Sequence, residues 1–327
     1  MIVPATAENV LRAAQALAAG ELVAFPTETV YGLGANARDA AALGRLFATK
    51  GRPTEHPVIV HLADAAALPR WAKTVPPGAR ALARAFWPGP LTLILPRADG
   101  VLDAVTGGQA SVGLRVPSQP VAHALLEALA ALGCDGIAAP SANRFGQISA
   151  TTAGHVAEEF GDAIALILDG GPSHHGIEST IVDFSRGDPV VLRPGSITAD
   201  ELARVLGAAP PSAGAGATRA SGTLASHYAP RTRAKLLPRR ELMAAIAGLG
   251  GANAHISVLA HSVAQPPEFE GAWFDAPGES AGYAQQLYAN LRALDAREAD
   301  EIWIEAPPDG PDWVAIGDRL RRATHRD

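Results

Sequence analysis

The chain has 327 residues, of which 48% are apolar and 18% charged, with a net charge of −6 and a single cysteine, Cys134. That length and apolar content suit two packed domains; the acidic balance argues against a general nucleic-acid binder, and one cysteine excludes an internal disulfide and fits a reducing, cytoplasmic setting. No apolar run reaches the roughly 18 residues that a membrane span needs, and the N-terminal stretch lacks the basic start and cleavage site of a signal peptide, so no membrane association is expected.

Residues 7–19 are predicted helical, with Thr6 as N-cap, Val10, Ala14 and Leu17 on one face and Gly20 as stop. Leu22–Phe25 reads as a strand, and Asp39 caps a helix carrying Leu43, Leu46 and Phe47. β-branched apolar runs predict strands at Val58–Leu62, Leu91–Leu95, Val112–Val116, Ile137–Ala139, Ile164–Leu168, Thr180–Phe184 and Val190–Leu192. Thr198 and Glu201 form a capping box that opens another helix. Many strands with few long helices suggest a mixed, twisted α/β sheet over residues 1–207.

Residues 208–222 are rich in Pro, Gly, Ala and Ser without apolar periodicity, which marks a linker, taken here to extend to 230. Beyond it, strands at Ala234–Leu237, Ile256–Ala260 and Glu301–Glu305 alternate with helices at 239–248, 280–295 and 312–322. Residues 231–327 therefore read as a small three-layer, Rossmann-like α/β domain, although no G-x-G-x-x-G marks a dinucleotide binder. The basic C-terminal helix (Arg319, Arg321, Arg322 and Arg326) reads as a solvated face rather than an RNA contact.

Chemistry concentrates in loops that follow strands. Pro26 to Gly34 offers the hydroxyls of Thr27 and Thr29, the carboxylate of Glu28 and two glycines, which suits a small polar ligand as well as it suits an ordinary turn. Lys50 and Arg52 end a helix, where the dipole favours cations. Pro53 and Pro57 stiffen the loop beyond, and a point charge beside a planar fork also suits a polyphosphate. His61 ends an apolar strand, where a histidine is usually a core residue. Alternation puts Ser111, Gly113 and Arg115 on one strand face, where an arginine can clamp a carboxylate. Ala139 to Ser149 carries Ser141, Asn143 and Ser149, small donors beside exposed backbone. Gly171 to Gly176 has P-loop glycine spacing, but Ile177 and Glu178 stand where Lys and Ser/Thr are required. His174 and His175 lack further ligands at metal spacing, so no protein-held metal is expected. Cations and hydroxyls with few acids (Glu28, Asp39 and Glu55 between residues 22 and 62) suit phosphoryl or nucleotidyl transfer. Any Mg2+ would be carried by the nucleotide's phosphates.

PTETVYGLG, KGRP with PVIVH, SVGLRVP, APSANRFGQIS, GIESTIVD and RPGSI follow one another in register over residues 5–200, with Ser226-His-Tyr-Ala-Pro230 beyond. In this the chain resembles YrdC-like domains, and specifically the long, two-domain form of the L-threonylcarbamoyladenylate (threonylcarbamoyl-AMP) synthases. The resemblance implies a reaction of L-threonine, bicarbonate or CO2, and ATP that yields L-threonylcarbamoyl-AMP and pyrophosphate. Downstream transferase proteins then pass the threonylcarbamoyl group to tRNA. It also implies a threonine subsite of Thr29, His61, Arg115, the backbone at Ala139, and Ser179. The implied ATP subsite is Lys50, Arg52, His56, Ser111, Ser141, Asn143, Ser149 and Arg193, with Tyr228 reaching over from the linker. Water must be kept from carbamate and adenylate, so a lid is expected and the linker with Tyr228 is the candidate, although composition alone favours a flexible tether. Lys50 and Arg52 would stabilise the charge of the transition state. His56 departs from the pattern, standing where Asn is expected. The competing readings are a non-catalytic double-stranded-RNA-binding module and a carbamoyl-phosphate-using carbamoyltransferase domain; the acidic charge weighs against the first and the absence of accessory cysteine motifs against the second.

Overall fold

The computed structural model describes residues 1–214, 216–249 and 255–325. Ala215 of the expected linker and Arg326 of the basic terminus lie outside the described residues. The chain divides into two compact units. The first is Met1–Phe145, Ala150–His174 and Glu178–Thr223; the second is Gly146–Ser149, His175–Ile177 and Leu224–Asp327.

The first unit opens with β1 (Ile2–Pro4), α1 (Ala7–Ala18), β2 (Val23–Phe25), β3 (Gly32–Asn36), α2 (Ala40–Lys50) and β4 (Ile59–His61). It continues through α3 (Pro77–Phe86), β5 (Leu91–Pro96), α4 (Asp103–Thr106), β6 (Ser111–Arg115), α5 (Pro120–Ala131) and β7 (Ile137–Ala138). It ends with α6 (Ala153–Phe160), β8 (Leu166–Asp169), β9 (Thr180–Asp183), β10 (Val190–Arg193) and α7 (Ala199–Leu206). Its strands form a mixed ten-stranded sheet in the order β1-β8-β2-β3-β7-β4-β6-β5-β9-β10. This is the mixed α/β sheet expected. One core cluster includes Leu33, Leu46, Val60, Trp71, Leu93, Leu114 and Val182; on the other side, α1 and α5 pack Val10, Leu17, Leu125 and Leu129 against Val23, Phe25 and Leu168.

The caps form as read: Thr6 accepts from the Asn9 amide, Asp39 from Ala41 and Ala42, and Thr198 with Glu201 completes a capping box. The first correction is α3, α5 and α6, helices of 10, 12 and 8 residues that the sequence reading left out. Proline opens the first turn of both α3 and α5, where its missing N–H costs nothing, so what reads as a breaker is a start. β3 is the second correction. Its glycines mask a strand inside a segment expected to be a loop, and a Cβ at Gly34 would lie 2.8 Å from Ile137 and 2.9 Å from Phe25, so the close approach of β2 and β7 demands glycine.

In the second unit, β11 (Arg233–Leu237), α8 (Arg239–Ala247), β12 (Ile256–Ala260), β13 (Ala272–Asp275), α9 (Ser280–Asp295), β14 (Glu301–Glu305) and α10 (Val314–Thr324) build a four-stranded parallel sheet ordered β11-β14-β12-β13. At the ends of β12 and β14, Glu305 is 1% exposed and accepts the amides of His261, Ser262 and Val263. No helix among the described residues is long and apolar enough to cross a membrane.

Candidate active site

Parallel pairing of β4 and β6 sets His61 opposite Arg115. Val112, Leu114 and Val116 enter the core, so Arg115 faces the other way yet remains only 4% exposed, inside the protein rather than at a wet edge. Its guanidinium is aimed by Nε donating to the Gly89 carbonyl (3.3 Å), Nη1 to Thr29 Oγ1 (2.9 Å) and Nη2 to Glu28 Oε1 (2.6 Å). With Arg115 donating to it, Thr29 turns its own proton toward Thr27 Oγ1 at 2.9 Å, and Thr27 donates to the Val30 carbonyl at 2.6 Å. This relay is why two hydroxyls follow β2 with one residue between them. Burial pushes the Glu28 carboxyl up, but the adjacent Arg115 charge, with the Glu28 and Ser118 amides, outweighs it and holds the group below its ordinary value. His61, 3% exposed, is driven down to about 3 by burial and then by Arg115, so it is neutral at physiological pH. Ala139 sits beside this group, its amide bonded to the Ile59 carbonyl at 3.0 Å.

The cationic residues are held as firmly. Lys50, 2% exposed, ends α2 and donates Nζ to the Ser141 carbonyl (2.6 Å) and to that of Asn143. Burial first, then the Arg52 charge, pulls its ammonium well below the usual lysine range. Lys50 thus fastens the 141–143 loop, in which the Asn143 amide group donates to the Arg144 carbonyl at 2.7 Å. Arg52 donates Nη2 to the Pro57 carbonyl (2.8 Å) and to Ser221 Oγ (3.3 Å), and its guanidinium lies 5.4 Å from the Phe145 ring. His56 rests 5.1 Å from the same ring, its pKa lowered by partial burial and by Arg52. Arg193 forks onto the Ser179 carbonyl through Nε (3.1 Å) and Nη2 (2.9 Å), reaches Ser179 Oγ at 3.1 Å, and donates Nη1 to the Ser221 carbonyl at 2.9 Å. Gly195 makes that approach possible: a Cβ there would fall 2.6 Å from the Ser179 carbonyl carbon. Ser179 Oγ also meets Thr92 Oγ1 at 2.8 Å.

Ser221 joins Arg52 to Arg193 and was not singled out in the sequence; it lies in a stretch whose composition marks only a tether. The described residues of 208–223 pack as a strap on the first unit. The Ala213 amide bonds to the Val191 carbonyl (2.9 Å), Thr218 Oγ1 to Asp183 (2.5 Å) and Ser221 Oγ to the Pro57 carbonyl (3.0 Å). Arg219, Ala220 and Ser221 roof a small cavity floored by Ser111, Gly113 and Ile181.

Two expected site residues belong to the second unit. Ser149 is fully buried, its carbonyl accepting from Arg292 at 3.2 Å. Tyr228, at φ 62° and 1% exposed, stacks on Tyr288 at 5.5 Å beneath the Arg319 guanidinium at 5.4 Å. Arg319 is 0% exposed, which corrects the expectation of a solvated basic face: the helix turns this residue inward to cover an aromatic pair, and among the described arginines of that run only Arg321 is exposed. Among the described residues, no group of three or more His, Cys, Asp or Glu could hold a metal ion.

A family model described as telomere recombination matches residues 15–195, and one described as the threonylcarbamoyl-AMP synthase C-terminal domain matches residues 197–324. The chain belongs to the threonylcarbamoyl-AMP synthase family. It is 38% identical over 316 residues to the threonylcarbamoyl-AMP synthase of Pyrococcus abyssi, covering 93% of this chain and 91% of that one. To the Bacillus subtilis threonylcarbamoyl-AMP synthase it is 37% identical over 330 residues, covering 96% and 92%. The crystal structure of P. abyssi Sua5 complexed with L-threonine superposes with a TM-score of 0.91 at 35% identity, over 99% of this chain and 97% of that one. Membership makes this chain an enzyme, and neither the RNA-binding module nor the carbamoyltransferase reading is needed to account for it.

Proposed function

We propose that the chain forms L-threonylcarbamoyl-AMP and pyrophosphate from L-threonine, bicarbonate or CO2, and ATP. The observation that carries this reading is a buried group, Arg115 with Thr29 and His61, in the same unit as two arginines, Arg52 and Arg193, joined through Ser221 and reaching Ser179. The threonine ammonium gives up one proton to become a nucleophilic amine and a second as its nitrogen bonds to CO2, both passing to solvent water, which leaves a carbamate anion. The carbamate oxygen attacks the α-phosphorus, and pyrophosphate departs with the bonding pair. Arg52 and Arg193 now spend their hydrogen bonds on carbonyl and hydroxyl oxygens, and exchanging these for phosphate oxygens gives stronger, charge-assisted bonds as negative charge builds. Mg2+ would arrive on the ATP phosphates. Lys50, Arg52, His56, Ser111, Ser141, Asn143 and Arg193 are assigned to ATP, and Thr29, His61, Arg115, Ala139 and Ser179 to threonine; Ser149 and Tyr228 are assigned to ATP by resemblance alone. The threonylcarbamoyl group would pass to transferase proteins that modify tRNA, in a cytoplasmic setting.

The test is pyrophosphate release with each of the three substrates omitted in turn. Release that needs all three, with AMP retained in the product, is expected; ADP and inorganic phosphate as the products would refute the reading.

A further inference from the structure

Glu28 is a buried acid for which the proposed chemistry has no task. The Glu28–Arg115 side chains are 6% and 5% exposed. Burying such a pair contributes little net stability, because desolvation offsets the attraction. One oxygen, Oε1, takes the Arg115 bond; the other, Oε2, is buried without a hydrogen-bond partner, the Glu28 and Ser118 amides favouring the charged carboxyl only from beyond hydrogen-bond distance. A carboxylate oxygen left so costs stability unless something is meant to meet it. Arg115 is in a complementary state: three bonds occupy part of its five-donor fork and leave N–H groups over. Side by side, the pair presents one spare anionic acceptor and spare cationic donors. That is the charge pattern opposite to a free α-amino acid, which carries an ammonium next to a carboxylate.

We infer that Glu28 Oε2 accepts the α-ammonium group of the amino-acid substrate while Arg115 takes its carboxylate, so that the pair reads the zwitterion. The inference rests on the threonine reading above and deepens it. It confines the substrate to α-amino acids with a free amine, and it explains why a site built for anions keeps a buried carboxylate.

Titration calorimetry with L-threonine and with (R)-3-hydroxybutyrate, which keeps the carboxylate and hydroxyl but lacks the amine, tests it on the full chain. Wild type should prefer threonine by at least about tenfold, and Glu28→Gln, which retains an acceptor for Arg115, should weaken threonine by about tenfold to a hundredfold. Binding of the hydroxy acid should change by less than about threefold. Equal weakening of both ligands would mean that Glu28 acts only by positioning Arg115, and an unchanged threonine affinity would mean that it has no part; either overturns the inference. Should the variant not fold, equal affinity of wild type for the two ligands overturns it as well. Failure of wild type to bind threonine at all would overturn this inference together with the reading on which it rests.

Discussion

Lys50 shows how a residue that reads as a phosphate ligand acquires a structural duty. Its ammonium is tied to two loop carbonyls, so Lys50→Ala should do more than remove a charge. Leaving those buried acceptors without a donor should cost about 1–3 kcal/mol, seen as a lower denaturation midpoint, alongside loss of pyrophosphate release. His61 makes a different prediction. Its folded pKa, about 3, lies below the ordinary 6.5, so below pH 6.5 the unfolded chain binds a proton that the folded chain refuses. Stability is therefore full above about pH 6.5 and falls as pH drops toward 3, by up to about 1.4 kcal/mol per unit. His56, also lowered, contributes with the same sign, whereas Glu28 is held below its ordinary 4.5 and acts only further down. Urea unfolding between pH 7.5 and 5 should show the slope, and His61→Gln should flatten it.

At the scale of elements, the strap competes with the role proposed for the residues beneath it. If Arg52 holds phosphate, its bond to Ser221 must be given up, and Ser221→Ala should then tighten ATP binding by about twofold to tenfold in calorimetry. Weaker binding would mean that the hydroxyl helps to hold the nucleotide. Most elements that position the site were legible in advance. The caps at Thr6, Asp39 and Thr198 announced their helices, and alternation along β6 put Arg115 on the correct face. What stayed hidden has physical reasons. Proline at a helix start looks like a break, and glycine in β3 looks like a turn. No single-residue pattern reveals that Glu28, eighty-seven positions away in the chain, will meet Arg115. Composition likewise misjudged Arg319, because a guanidinium over an aromatic ring reads in sequence as one more surface charge.

Taken whole, the molecule is acidic, with a net charge of −6, and the cations assigned to the proposed site, Lys50, Arg52, Arg115 and Arg193, are buried rather than displayed. Little counterion release is then available to hold RNA. Adding tRNA at about 0.15 M salt should leave pyrophosphate release unchanged, and a filter-binding assay should find no affinity beyond the non-specific range of roughly 10⁻⁴–10⁻⁶ M. The strap has a practical consequence for dissecting such a chain. Composition invites a cut after residue 207, yet the segment up to Thr223 supplies Thr218 to Asp183 and buries Ala220 over an apolar cluster that includes Ile59, Ile94, Ile181 and Leu192. A fragment ending at 207 would carry raw apolar surface and bare guanidinium groups, and should aggregate. One ending at 223 keeps the strap and should melt at a distinctly higher temperature, a difference that a side-by-side thermal scan of the two truncations would reveal.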